Sequence, residues 1–144
     1  HQAIARLQLE YSGSVTLVTQ NVDDLHERGG STELLHMHGE LLKVRCGSCG
    51  VTSRWVTDLN KADACATCRQ VGTLRPDIVW FGEMPYFLDE IEMALQQASL
   101  FVAVGTSGVV YPAAGMVDVA RSRHIPTIEF NIQKTEASPY FSET

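Results

Sequence analysis

The sequence predicts an α/β fold, a Rossmann-like parallel sheet into which a small zinc-ribbon module is inserted. Short apolar, β-branched segments alternate with segments of helical periodicity, which is typical of a parallel sheet covered by helices. Between two of these segments lie four cysteines, arranged as two C-x2-C pairs. We therefore expect residues 1–42 and 77–144 to form the α/β domain and residues 43–76 to form the module.

The composition limits the classes of partner. The chain has 144 residues, of which 44% are hydrophobic, and no segment approaches the roughly 18 apolar residues of a membrane span. Eleven Lys and Arg against 17 Asp and Glu give a net charge of −6, so nothing favours general attraction to nucleic acid phosphates. We expect a cytoplasmic protein with no membrane or nucleic-acid partner.

The first elements are a helix and a strand. Residues His1 to Tyr11 place apolar side chains at helical spacing, and Val15 to Thr19 form a β-branched run typical of a buried strand. The run stops abruptly at Gln20-Asn21-Val22-Asp23. Because the chain opens at His1 inside a helical pattern and closes at Thr144 after a polar stretch, we expect it to be part of a longer protein.

The second half repeats the alternation of helix and strand. Asp89 is placed to cap a helix that runs to about Ala98. The uninterrupted apolar run of residues 100–104 predicts a strand covered on both faces. A helix over residues 112–122 and a strand over residues 127–130 follow.

Small or polar residues follow three of the predicted strands, at Gln20-Asn21, at Gly105-Thr106-Ser107 and at Asn131. Because the carboxyl ends of parallel strands lie along one edge of a sheet, we expect these residues to share the edge where α/β folds bind ligands. The cysteine module would then sit as a lobe beside that edge, and the cleft between lobe and sheet is the predicted site.

The cysteines predict a structural zinc ion. Each C-x2-C turn directs two thiolates at one metal, and four thiolates close a tetrahedral coordination sphere, so water and substrate have no open position. The ligands would be Cys46, Cys49, Cys65 and Cys68. The alternative is a pair of disulfides, which the lack of a signal-like segment at the start of the chain disfavours.

Several motifs in this order resemble those of the sirtuins, the NAD-dependent protein lysine deacylases. Thr19 to His26 reads TQNVDDLH and resembles the family's T-Q-N-[IV]-D-x-L-H; His38-Gly39 resembles its catalytic H-G. The four cysteines, Leu74-Arg75-Pro76, the segment Val79 to Glu83, Gly105-Thr106-Ser107 and Asn131 continue the resemblance in family order. The residues from His36 to Cys46 are most similar to the bacterial class III type, which also accepts acidic acyl groups.

The resemblance implies a reaction and a catalytic residue. In sirtuins the acyl-lysine oxygen attacks the ribose carbon that bears nicotinamide, and a histidine then acts as general base on a ribose hydroxyl. The products are free lysine, nicotinamide and O-acyl-ADP-ribose. His38 matches that histidine, and an imidazole has the near-neutral pKa that suits such a step. The substrates implied are protein lysines that carry acetyl, succinyl or malonyl groups.

The resemblance also assigns the binding residues. Residues that match the NAD-contacting positions are Gln20, Asn21, Asp23, Gly105, Thr106, Ser107 and Asn131. Residues that match the two strand-like walls of the peptide site are Val79, Trp80, Phe81, Gly82 and Glu83, with Val110 opposite. Trp80 and Phe81 would line an apolar tunnel for the lysine stem.

Structural roles compete with several of these assignments. A lone histidine is more often a structural group, and His36 and His38, two apart on a strand, could together bind a metal; we expect His36 to be structural. Asp23 could be an ordinary turn residue. Trp80 and Phe81 could be core residues, and we expect Glu27-Arg28 to be a solvated pair.

Two other functions compete with deacylation. One is a zinc-ribbon module that binds a partner, for which the acidic charge and the polar strand ends give no support. The other is a sirtuin-like NAD hydrolase, which the predicted peptide wall disfavours. The family's glycine-rich G-A-G-x-S loop is not in this chain, so we expect these 144 residues alone to bind NAD weakly and to turn over little.

Overall fold

The computed structural model describes all 144 residues, which divide into two compact units, His1–Phe87 and Leu88–Thr144. The α/β class is confirmed, because both units contain a parallel strand pair and helices. The first unit comprises α1 (Gln2–Glu10), β1 (Leu17–Thr19), α2 (Leu25–Arg28), β2 (Leu34–His36), β3 (Gly39–Cys46), β4 (Thr52–Arg54) and β5 (Leu74–Ile78). The second comprises α3 (Leu88–Gln97), β6 (Phe101–Val104), α4 (Met116–Ser122) and β7 (Thr127–Phe130).

In the first unit, β1 and β2 pair in parallel, with Leu17 opposite Leu34 and Thr19 opposite His36. The predicted helix over residues 1–11 and the strand over residues 15–19 are present as α1 and β1. The sequence reading missed β2, because its three residues are too few to show a periodicity.

The cysteine-bearing part of the first unit is a three-stranded antiparallel sheet in the order β4-β3-β5. Its central strand, β3, begins at Gly39 immediately after His38 and ends at the first cysteine, Cys46. The register between β3 and β5 shifts between Glu40 and Val44, as at a β-bulge. One continuous strand therefore joins the His38 turn to the cysteine cluster.

In the second unit, β6 and β7 pair in parallel over four residues each. The helix predicted over residues 112–122 begins with a 3-10 turn, Ala113–Gly115, which continues as α4. The helix predicted from Asp89 begins one residue earlier, at Leu88, so Asp89 lies in the first turn instead of capping it. A carboxylate in the first turn still interacts favourably with the helix dipole.

The prediction that the strand at residues 100–104 is covered on both faces is wrong for this chain. Ala103 is buried, but Val102 and Val104, which point to the opposite face, are 41% and 56% exposed. Hydrophobicity alone does not distinguish a strand buried on two faces from one buried on a single face, because the difference depends on which elements pack against it.

We expect Gly39→Ala to destabilise the protein by more than about 2 kcal/mol, because Gly39 combines a left-handed backbone with close packing. Its φ is +81°, and an added Cβ would lie 2.1 Å from the carbonyl oxygen of Asp77. Gly82→Ala is the matched control, since Gly82 has φ +90° but no atom within 4 Å of the added Cβ. Denaturant unfolding that gave equal losses for the two variants would contradict the role of close packing.

Candidate active site and metal centre

His38 lies in the two-residue turn between β2 and β3 and is half-buried. Its Nδ1 is 3.1 Å from the carbonyl oxygen of Gln20. Because a carbonyl oxygen can only accept, Nδ1 carries the proton and donates it, which leaves the lone pair of a neutral ring on Nε2. The ring is therefore held in the tautomer that a general base requires.

The residues after β1 form a loop fixed by its own side chains. The Asn21 amide donates to Thr19 Oγ1 at 3.1 Å, and the Leu25 amide donates to Asp23 Oδ1 at 3.1 Å. The second bond gives Asp23 the turn-forming role that the sequence also allowed, at the start of α2. Within the first unit the structure thus brings Gln20 and Asn21 next to His38.

His36 is buried and engaged at both ring nitrogens, as expected of a structural residue. Its Nδ1 is 3.2 Å from the carbonyl oxygen of Asn21, and its Nε2 is 2.9 Å from Glu27 Oε1. Glu27 and Arg28 are both exposed, as expected of a solvated pair, but the Glu27 carboxylate also bonds to the buried His36 ring. No local pattern signals a contact between residues nine positions apart, so sequence reading missed it.

In the second unit, the residues after β6 and β7 meet. Asn131 Nδ2 donates to the Thr106 carbonyl oxygen at 2.8 Å, and the Gly105 amide donates to the Phe130 carbonyl oxygen at 2.9 Å. Gly105 has φ +63°, a conformation that favours glycine. Ser107, the next residue but one, is exposed. The predicted convergence of polar strand ends is present within this parallel pair.

A buried carboxylate that the sequence reading missed lies beside Asn131. Glu129 accepts hydrogen bonds from Ser138 Oγ and from Thr135 Oγ1, the latter at 2.7 Å. The bonds from Ser138 and Thr135 lower the pKa of Glu129, although burial opposes them. Glu129 therefore anchors the loop that follows β7 while it remains ionised. A polar residue inside an apolar strand was the signal that could have found it.

The segment Val79–Glu83 follows β5 as a turn instead of the strand-like wall that the sequence predicted. The Glu83 amide donates to the Trp80 carbonyl oxygen at 2.9 Å, which closes the turn. Trp80 and Phe81 are 54% and 102% exposed, so neither is a core residue. Val110, the residue predicted for the other wall, belongs to the second unit and is also exposed.

Arg75 holds this turn through a bidentate ion pair. Its guanidinium donates to Glu83 Oε1 at 2.6 Å and to Oε2 at 2.8 Å, and Glu83 Oε2 also accepts from the Trp80 amide at 3.0 Å. The Arg75 bonds, and then the Trp80 amide, lower the pKa of Glu83 from 4.5 to about 2. Arg75 additionally donates to the Ile78 carbonyl oxygen, which ties the turn to the end of β5.

The four cysteine sulfurs fit one zinc ion. None is in a disulfide, and all lie within 4.8 Å of one another. The Cys46–Cys68 and Cys49–Cys65 sulfur separations are 3.6 and 3.7 Å. A tetrahedron with Zn–S bonds of about 2.3 Å has edges of about 3.8 Å. The geometry therefore supports a closed, structural site and excludes the disulfide alternative for this conformation.

The pKa values of the cysteine thiols depend on their neighbours in the cluster. Hydrogen bonds from Thr73 and from the Cys49 amide lower the pKa of Cys46 to about 6. The Gln70 amide lowers the pKa of Cys68, but burial and the neighbouring thiols outweigh it and raise the value to about 12. The four sulfurs converge, and they cannot all become thiolates without a cation among them. A divalent cation would stabilise them in the thiolate form.

Comparisons with known proteins identify the family. The Sir2 family model matches residues 1–112, and the chain belongs to the Sir2 family. It is 50% identical over 143 residues to the NAD-dependent protein deacylase of Vibrio cholerae serotype O1, covering 99% of this chain and 58% of that protein. It is 53% identical over 147 residues to the deacylase SIR2rp3 of Leishmania major, covering 100% and 60%.

Solved structures agree with this assignment. A Sir2 homologue in complex with NAD matches with a TM-score of 0.89 and 37% identity, over 100% of this chain and 57% of that one. A Sir2 protein bound to an acetylated peptide matches with a TM-score of 0.86 and 27% identity, over 99% and 62%. The chain thus spans somewhat more than half the length of these relatives.

We expect native mass spectrometry to find one zinc ion per chain, and Cys65→Ala to lose it, because three thiolates leave a buried site with an incomplete tetrahedron. The variant should also unfold at a lower temperature, since zinc binding stabilises the folded state. Ser53→Ala, at an exposed position of β4, is the control and should retain the metal. A metal-free wild-type protein purified without chelator would contradict the assignment.

We expect Glu83→Gln to be less stable than the wild type at neutral pH, with a difference that disappears in acid. The folded pKa of Glu83, about 2, lies below its usual 4.5. The stabilisation is therefore complete above pH 4.5 and is lost as the pH falls towards 2. Unfolding curves recorded across this range test it, with Glu92→Gln on α3 as the control. A difference between wild type and Glu83→Gln that did not shrink below pH 4.5 would contradict it.

Proposed function

We propose that this protein removes acyl groups from protein lysines with NAD as co-substrate and forms nicotinamide and O-acyl-ADP-ribose. The observation that carries the proposal is the bond from His38 Nδ1 to the Gln20 carbonyl oxygen, which leaves Nε2 as a proton acceptor. Membership of the Sir2 family and the printed names of the relatives, NAD-dependent protein deacylases, support the reaction class.

His38 is the proposed general base. Nε2 would take the proton of a ribose hydroxyl while the Nδ1–H bond to a backbone carbonyl keeps the ring in place. A carbonyl partner stabilises the developing imidazolium less than a carboxylate does, so the base also returns its proton readily. The residue therefore acts as a base whose orientation is set by the main chain of the Gln20–Asn21 loop.

Bound NAD supplies the ribose that accepts the acyl group and the nicotinamide that leaves. In the first unit, we assign Gln20, Asn21 and Asp23 to the ribose and the nicotinamide amide, which needs both a donor and an acceptor. In the second unit, we assign Gly105, Thr106 and Ser107 to the adenosine side and Asn131 to a ribose hydroxyl. The bond from Asn131 to the Thr106 carbonyl oxygen supports their acting as one surface.

The Val79–Glu83 turn is the proposed peptide-binding segment of the first unit. The Val79 amide donates to the His38 carbonyl oxygen at 2.9 Å, so this segment is tied directly to the catalytic turn. The exposed rings of Trp80 and Phe81 offer an apolar surface to the stem of an acyl-lysine. In the second unit, Val110 is assigned to substrate binding. Main-chain recognition of an extended peptide would tolerate many sequences.

The substrate assignment covers protein acyl-lysines, with acetyl and the acidic succinyl or malonyl groups as the acyl classes. No helix of the structure is both long and apolar enough to cross a membrane. We place residues 43–76 as the zinc-binding module and the rest of the chain as the partial NAD-binding domain. We also propose a cytoplasmic location.

We expect His38→Ala to lower deacylation by about 100- to 10,000-fold, the usual contribution of a general base, while zinc stays bound. The assay incubates the full-length protein with NAD and either an acetyl-lysine or a succinyl-lysine peptide and detects O-acyl-ADP-ribose by mass spectrometry. His124→Asn is the control, because His124 is exposed and asparagine tolerates its φ of 58°.

The outcomes separate the competing functions. O-acyl-ADP-ribose that forms together with free lysine and is lost in His38→Ala establishes the deacylase and identifies the preferred acyl group. Consumption of NAD without acyl-lysine would indicate a hydrolase instead. Intact NAD and unchanged peptide in a folded, zinc-loaded protein would overturn the proposal and favour a partner-binding module.

A further inference from the structure

Two histidines donate to two consecutive carbonyl oxygens of the same loop. His38 Nδ1 lies 3.1 Å from the Gln20 oxygen, and His36 Nδ1 lies 3.2 Å from the Asn21 oxygen. The two oxygens belong to consecutive peptide planes that meet at the Asn21 Cα, so only φ and ψ of Asn21 separate their directions. A contact that fixes Asn21 therefore affects the acceptor of the proposed catalytic ring.

His36 is bonded at both ring nitrogens. Its side chain is 6% exposed, and Nδ1 and Nε2 face the Asn21 carbonyl oxygen and Glu27 Oε1, which is 2.9 Å away. A carbonyl oxygen can only accept, so Nδ1 donates to Asn21. The contact between Nε2 and Glu27 restricts rotation of the ring. His36 therefore links the loop after β1 to α2.

Three other titratable residues lie near His36, namely Glu40, His26 and Asp23. Glu40 on β3 is near Glu27 and His36 but is paired with Lys43, whose Nζ lies 2.5 Å from its Oε1. His26 on α2 has its pKa lowered, first by burial and the terminal amino group and also by His36. Asp23 Oδ1 accepts a hydrogen bond from the Leu25 amide. The direct side-chain partner of His36 is therefore Glu27.

We infer that His36, bonded to the Asn21 carbonyl oxygen and to Glu27, is a positioning residue that fixes the Gln20–Asn21 backbone on which His38 is oriented. The inference rests on the proposed role of His38 and extends it to a pair that touches neither substrate nor NAD. With the Asn21 carbonyl held by His36, the Gln20 carbonyl keeps its direction, and His38 keeps its proton on Nδ1.

The test reads the ring protons directly. Nitrogen-15 NMR of the full-length protein, without NAD or peptide, should show His38 with its proton on Nδ1. His36→Phe keeps a buried ring but removes both donors. In this variant we expect the His38 signal to shift towards an average of the two neutral tautomers, and kcat to fall by about 10- to 100-fold with a smaller change in KM.

Substitutions at Glu27 keep the inference testable if His36→Phe does not fold. In Glu27→Ala, the His36 ring loses its partner at Nε2, and the His38 signal should again move. In Glu27→Gln, the new amide can donate to Nε2 while Nδ1 still donates to Asn21, so the His38 signal should be retained. Glu10→Gln, in an exposed pair with Arg6 on α1, is the matched control.

Two results would overturn the inference. The first is a His38 signal that is unchanged in folded His36→Phe and Glu27→Ala proteins. The second is a second equivalent of Zn2+ that binds the wild-type protein at His36, with Glu27 and Glu40 as the other ligands. Because the NMR signals are recorded without substrate, they decide the inference separately from the deacylase assay.

Discussion

The main-chain hydrogen bonds of the Met37–His38 turn are the constraint on which the proposed site depends. The Met37 amide donates to the Thr19 carbonyl oxygen, the Tyr86 amide donates to the Met37 carbonyl oxygen, and the Val79 amide donates to the His38 carbonyl oxygen. These bonds join the end of β1, the Met37–His38 turn and the segment after β5. Met37 is fully buried, so the turn is also fixed by packing. A displacement of this turn would move His38, the loop beside it and the Val79–Glu83 segment together.

Side-chain hydrogen bonds then fix the loops next to this turn. Arg75 and Glu83 hold the turn after β5 through an ion pair, and His36, which is bonded to Glu27, holds the loop after β1. In the second unit, buried Glu129 holds the loop after β7 through two hydroxyl groups. In each case the charged group bonds to main chain or to hydroxyls near a proposed binding residue, and it does not itself serve as the base. Hydrogen bonds to charged side chains thus order these loops, which have few apolar contacts.

The zinc module is coupled to the site through a single strand. β3 starts at Gly39, packed against the Asp77 carbonyl, and ends at Cys46, one of the four sulfur donors. Closing the tetrahedron would fix the far end of the strand whose near end begins at the His38 turn. A zinc ion held by the four cysteines would therefore stabilise this turn without an open coordination position, which is a structural role.

The sequence by itself determined the features that depend on residue type and spacing. The four cysteines, the motif at Gln20–Asp23, the alternation of helix and strand and the choice of His38 all followed from local patterns. The tertiary structure decided what depends on neighbours distant in the chain. It paired Glu27 with His36, left one face of β6 uncovered and closed Val79–Glu83 into a turn through Arg75. Hydrophobicity and motif spacing report what a segment can form, whereas burial and hydrogen-bond partners depend on elements that the chain brings together only when folded.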